Sequence, residues 1–112
     1  MTDATLQQGV HLTFYCHVRA RHKNMLVTEW LLEQAKRDGL GGGSVFRATA
    51  GFGRHGVLHE EAFFELADDL PAKVEFLMSK DAAERMLTRV RAAGVEAVYA
   101  LTPADFAVLG KQ

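Results

Sequence analysis

The sequence predicts an α+β domain in which two helices cover one face of a four-stranded antiparallel sheet. Three observations predict it. Two stretches, Val10–Val18 and Lys73–Ser79, alternate apolar and polar residues with the period of two that marks a half-buried strand. Each is followed by apolar positions repeating at helical spacing and then by a glycine, Gly39 or Gly94, suited to end a helix. A further strand-like run comes after each helix, at Ser44–Ala50 and within Glu96–Leu101. The order β-α-β, long connection, β-α-β is the ferredoxin-like arrangement.

The elements follow in chain order. Residues 1–9 are polar and expected to be disordered, which leaves 10–112 as one domain. In the first strand Val10, Leu12, Phe14, Cys16 and Val18 share the core face. His11, Thr13, Tyr15 and His17 share the other, a face with no acid or lysine, which burial in an oligomer interface would explain. "RARHK", Arg19–Lys23, reads as a solvated cationic loop, and Asn24 as the N-cap of the first helix. Val27, Trp30, Leu31 and Ala35 form that helix's apolar stripe, with Trp30 in the core. After the second strand, 51–71 forms a long loop with a short strand expected at "AFFEL", Ala62–Leu66. In the third strand Val74, Phe76 and Met78 point inward. Asp81 and Glu84 stand at capping-box spacing, and Ala83, Met86, Leu87 and Val90 make the second stripe. Thr102-Pro103 is read as opening a short C-terminal helix, with proline at the permissive first position.

Composition bounds the function. A chain of 112 residues, 48% hydrophobic, supports one self-sufficient core. A formal net charge of −1 argues against a nucleic-acid binder. The single Cys16 precludes an internal disulfide framework and fits a reducing cytoplasm. No apolar run is long enough to span a bilayer and no cleavable leader is recognised, so a soluble cytoplasmic protein is expected.

"DGLGGGSVFRATAGFGRHG" (Asp38–Gly56) and "LHEEAFFELADDLPAKVEFLMS" (Leu58–Ser79) resemble the PII-like proteins of a bacterial "domain of unknown function" group related to nitrogen regulatory protein PII. The resemblance runs from about Val10 to Leu101. Its most specific parts are Gly-Leu-x-Gly-x-Ser-Val-Phe-Arg ahead of the second strand, the Gly51-Phe52-Gly53 turn, and Asp69-Leu70-Pro71 before the third. It implies a non-catalytic signalling homotrimer that binds a small effector, an adenine nucleotide being the candidate, in clefts between subunits. The 51–71 loop would report the bound state to an enzyme or membrane transporter. The ligand edge would be Gly51, Phe52, Gly53 and Arg54. Two departures stand against PII-type triphosphate recognition. The glycine-rich, threonine- and lysine-containing loop before the last strand is reduced here to "RAAGVEAVYAL", and Lys73 stands one residue further from Leu70-Pro71 than the PII lysine. A one-residue shift in a strand turns a side chain to the opposite face.

The residue chemistry agrees with a binding loop. Glycines let backbone N–H groups face an anion, Arg54 adds a fork of donors, and Phe52 offers a stacking surface. A metal site is not expected. His55 and His59 would share a face only in a helix, and His11 and His17 lie far apart along one strand. No cofactor is expected either, and no catalytic residue is assigned: the chain has no P-loop or nucleophile elbow, and Asp68-Asp69 beside Pro71 reads as turn chemistry. The alternatives are a metal- or anion-binding trimer resembling the copper-tolerance proteins of the same fold, and a small enzyme using Arg54 and His55.

Overall fold

The structure is a computed structural model that describes residues 6–38, 42–52, 58–60 and 70–110. Its first strand, β1 (Gln7–His17), begins three residues before the alternating stretch does. Gln7, Gln8 and Gly9 are held there by pairing with Phe106, Asp105 and Ala104, so the partner strand rather than local propensity sets the boundary. A two-residue hairpin follows, β2 (Arg21–His22) and β3 (Met25–Leu26). Helix α1 (Val27–Arg37), strands β4 (Ser44–Arg47), β5 (Ala50–Phe52), β6 (Leu58–Glu60) and β7 (Pro71–Met78), helix α2 (Lys80–Ala93) and strand β8 (Val98–Phe106) complete the order.

The main sheet runs β4-β7-β1-β8 with every neighbouring pair antiparallel. Val10 stands opposite Met78, Leu12 opposite Phe76 and Phe14 opposite Val74. Cross-strand partners share a face, so these six side chains form one apolar surface. All six are buried, and they pack with Val27, Leu31 and Ala35 of α1 and with Ala82, Ala83, Met86 and Val90 of α2. Phe14 and Phe76 meet edge to face, their centroids 6.5 Å apart, a geometry that adds about 1 kcal/mol to area burial. Trp30 packs only partly buried at the rim, its indole edge-on to His22 at 5.0 Å.

Four expectations are corrected. Asn24 does not cap α1. Lys23 and Asn24 take φ of 51° and 66°, the double positive φ of a type I′ hairpin turn, and the helix starts after Leu26 without a side-chain cap. The cap of α2 is Ser79, whose hydroxyl accepts from the Ala82 N–H at 3.1 Å, so Asp81 and Glu84 are interior to the helix rather than a capping box. The C-terminal helix is absent: Thr102–Phe106 continues β8, and Pro103 lies in an edge strand, where a missing N–H leaves no ladder bond unmade. The 51–71 stretch is not loop throughout, since Ala50, Gly51 and Phe52 pair with Glu60, His59 and Leu58. The strand expected at Ala62–Leu66 and the stop at Gly39 lie outside the described residues. The stop at Gly94 holds: it is left-handed, φ 75°, and closes α2.

The two helices are tied to each other by Arg89. Its guanidinium donates to both Asp38 carboxylate oxygens, at 3.1 and 3.3 Å, and to the Gln34 carbonyl at 3.1 Å. This bidentate clamp fixes the C-terminal end of α1 just before the glycine run. At the far end of that run, a Cβ on Gly43 would come within 2.4 Å of the Phe76 ring and 3.0 Å of Leu32. Gly43→Ala should therefore destabilise the domain by about 1–3 kcal/mol through overpacking. Ser79→Ala should cost about 1 kcal/mol by removing the α2 cap. Urea unfolding followed by circular dichroism checks both, with an unchanged midpoint for Gly43→Ala contradicting the packing assignment.

Candidate functional site

The candidate site lies where β1 ends and β7 begins. Backbone bonds gather three segments there: the Val18 N–H donates to the Leu70 carbonyl at 2.8 Å, and the Ala48 N–H to the Pro71 carbonyl at 2.9 Å. Leu70, buried, and Pro71 are thus the common anchor for the end of β1 and for the β4–β5 corner. From this corner rises the β5–β6 hairpin. Gly51 passes Pro71 so closely that a Cβ would stand 3.3 Å from the proline Cγ. A side chain at this position would press on the proline ring, so glycine lets the hairpin approach β7 without displacing it.

Of the four residues assigned to the ligand edge, Gly51 and Phe52 lie in β5, so Gly51 is a paired strand residue rather than part of a turn. Gly53 and Arg54 lie outside the described residues, as does His55. His59 belongs to an extended strand, β6, so the helical spacing that would have joined it to His55 does not apply to it. Among the described residues, no three His, Cys, Asp or Glu side chains gather as a metal site.

The β2–β3 hairpin follows directly from this end of β1, joined to it by Ala20 N–H to His17 carbonyl and closed by Val27 N–H to Ala20 carbonyl. It presents Arg21 and Lys23 to solvent, with Arg21 donating to the Asn24 carbonyl at 2.8 Å. Arg47, exposed, ends β4 opposite Ala72 at the same end of the sheet. The cationic run Arg19–Lys23 was read as a solvated loop, and the structure instead folds Arg21–Leu26 into a hairpin at this end of the sheet. The signal for it was Lys23-Asn24, a pair able to form a two-residue turn. Cys16, one residue before the end of β1, is a half-buried free thiol, and burial pushes its pKa up to about 11. A thiol so protonated at neutral pH is a poor nucleophile.

Lys73 is turned away from this corner. Ala72 takes the buried face and Lys73 the opposite one, where its ammonium lies 2.8 Å from Glu75 Oε2 and 5.1 Å from the Phe46 ring centroid. The hydrogen bond between them lowers the Glu75 carboxyl and raises the Lys73 ammonium relative to their ordinary values. Because the Glu75 pKa is depressed on folding, its contribution is complete above the ordinary carboxylate pKa and is lost as pH falls through the lowered value. At the α2–β8 connection, Gly94 donates its N–H to the Arg91 carbonyl at 3.1 Å. That amide is committed to the helix cap and is not free to cradle a phosphate there.

The fold defines a class of protein. The chain superimposes on CPII, a nitrogen regulatory PII-like protein from Thiomonas intermedia K12 bound to ADP, AMP and bicarbonate, with a TM-score of 0.66, 14% identity and 92% of each chain covered. The same protein bound to ADP and bicarbonate gives 0.63, 18% identity and again 92% of each chain. The ferredoxin-type α+β fold is thus a PII-like one. The DUF190 family, described as uncharacterized ACR, matches residues 9–105, and the chain belongs to that family. A UPF0166 protein of Aquifex aeolicus (strain VF5) is 36% identical over 63 residues, which span 56% of this chain and 60% of that relative.

In the native protein Cys16 should react with iodoacetamide at pH 7.5 at least about tenfold more slowly than in the urea-unfolded chain, whose thiol titrates near 8.5. Equal rates, read by mass spectrometry, would contradict the protected thiol.

Proposed function

We propose that this chain is a PII-like regulatory protein of the cytoplasm without catalytic activity of its own. It assembles as a homotrimer, binds a small anionic effector in the clefts between subunits, and reports that state to a partner protein through the segment 51–71. The observation that carries the reading is the β5–β6 hairpin, rooted on Leu70-Pro71 beside the cationic end of the sheet, in a chain whose fold neighbour CPII holds ADP, AMP and bicarbonate. Arg54 and the backbone from Gly51 to Gly53 are the assigned ligand edge, with Phe52 as a stacking surface. The short α2–β8 connection, with the Gly94 amide already bonded, favours a mono- or diphosphate, or bicarbonate, over a triphosphate held in the PII manner.

The mechanism is linkage. An effector that binds one arrangement of the hairpin more tightly shifts its population, and a partner selecting the same arrangement then binds more tightly by the same factor. The partner class is an enzyme or a membrane transporter.

Thermal shift and calorimetry with ADP, AMP and bicarbonate, singly and together, test the proposal. A ligand at 100 times its dissociation constant should stabilise the fold by about 2.7 kcal/mol. Arg54→Ala should weaken that binding by about tenfold or more while leaving the assembly intact. Unchanged melting with all three ligands, or dissociation of the Arg54→Ala protein, would overturn the assignment.

A further inference from the structure

The start of α1 gathers hydrogen-bond donors that have no acceptor of their own. A helix leaves its first N–H groups without partners inside it. In α1 the Val27 N–H is taken by the Ala20 carbonyl at 2.8 Å, and no side-chain cap accepts from Thr28 or Glu29. Thr28 is only 8% exposed, and among the described residues its hydroxyl has no hydrogen-bond partner. A helical threonine commonly returns its hydroxyl to the carbonyl four residues back. Here that carbonyl, of Asn24, accepts from Arg21 at 2.8 Å instead. Side chains on a helix lean toward its N-terminus, so the Thr28 hydroxyl belongs with the two open amides. A buried polar group without a partner is costly, and one that persists points to an acceptor from outside the chain.

The sheet brings a cation to the same corner. A Cβ on Gly43, the residue before β4, would stand 3.0 Å from the Leu32 side chain, so α1 lies over the start of β4 at that point. Thr28 is one turn earlier on the same side of α1, about 5.4 Å nearer the helix start. β4 runs toward that end and finishes at Arg47. Arg47 stands opposite Ala72, and Ala72 opposite Cys16, in one cross-strand row. Ala72 is buried under the helices, so Arg47 rises from the face that they cover. Arg47 is exposed and belongs to none of the described ion pairs. Glu29 is the acidic residue of the first turn; it is exposed and makes no cap hydrogen bond.

We propose that this corner is a binding site for a single phosphate group, free or carried by a nucleotide. The Thr28 and Glu29 N–H groups, the Thr28 hydroxyl and the Arg47 guanidinium hold it. Every one of these groups belongs to a single subunit and lies outside the edge Gly51–Arg54 assigned to the effector. Charge selects the ligand. The helix start supplies about +0.5 and Arg47 a full positive charge, which together match the −1.5 to −2 of about one phosphate group. A carboxylate has one charge and two oxygens, and would leave donors unused.

Amide NMR spectra of the full chain, titrated separately with inorganic phosphate and with AMP at constant ionic strength, test the site. The Thr28 and Glu29 resonances should move and saturate with at least one probe, and the tighter of the two identifies the source of the phosphate. Arg47→Met, which keeps the stem and removes the charge, should weaken that binding by at least about tenfold. Thr28→Val, which keeps the shape, should do the same. In phosphate-free buffer Thr28→Val should melt no lower than wild type, because no bond within the chain is lost. A lower melting temperature there would show that the hydroxyl is already partnered, and would overturn the site. Resonances unmoved by both probes, or undiminished affinity in Arg47→Met, would overturn it as well. Stabilisation by ADP or bicarbonate with Thr28 and Glu29 unmoved would overturn this site alone and leave the effector reading standing.

Discussion

Strand β1 is bonded on both flanks, to β7 from Val10 to His17 and to β8 from Gln7 to Tyr15, and the other elements take their positions from it. Its inward residues Leu12 and Phe14 are almost fully buried and meet both helices' stripes through the same cluster. Its outward residues His11, Thr13 and Tyr15 form the middle of the open face. Its C-terminal end fixes Leu70 through Val18 and so roots the hairpin that carries the candidate site. A long-range antiparallel pairing of this kind cannot slip by one residue without exchanging the core face for the open one. That constraint ties the packing, the open surface and the site corner to one register.

The same rule explains what became of Lys73. Placed one residue further along than the PII lysine, it leaves Ala72 to fill the core side and joins Glu75 outside. Its ammonium is thereby committed to the open face and stands away from the candidate site. The end of the sheet that carries that site has other cations, Arg21 and Lys23 on the β2–β3 hairpin and Arg47 at the end of β4.

Much of the fold was legible because it is written in periodicity. The alternation of Val10–Val18 and of Lys73–Ser79, and the two helical stripes, identify elements whose apolar sides are buried together. The misreadings share a cause, which is that pairing overrode local preference. Pro103 suits a helix start, yet pairing with Val10 holds it in β8. Asn24 suits an N-cap, yet the Arg21–Leu26 pairing needs positive φ at Lys23 and Asn24. Leu58-His59-Glu60 has too little apolar content to declare a strand, and only its partner Ala50–Phe52 makes it one. Gly51 and Phe52 were assigned to a ligand edge from residue chemistry alone, and their pairing as a strand with Leu58–Glu60 was not legible there. The polar chain His11–Glu75–Lys73 was not, because it joins residues more than sixty positions apart that only the sheet brings together.

In the proposed mechanism, effector binding is read out through the hairpin rooted on Leu70-Pro71. Hydrogen–deuterium exchange of the free protein and of the protein saturated with ADP and bicarbonate tests it most directly. Saturation should slow exchange in Ala50–Phe52 and Leu58–Glu60, with little change at the centre of β1, which is paired on both sides. Protection that leaves the hairpin unchanged while another surface slows would contradict it.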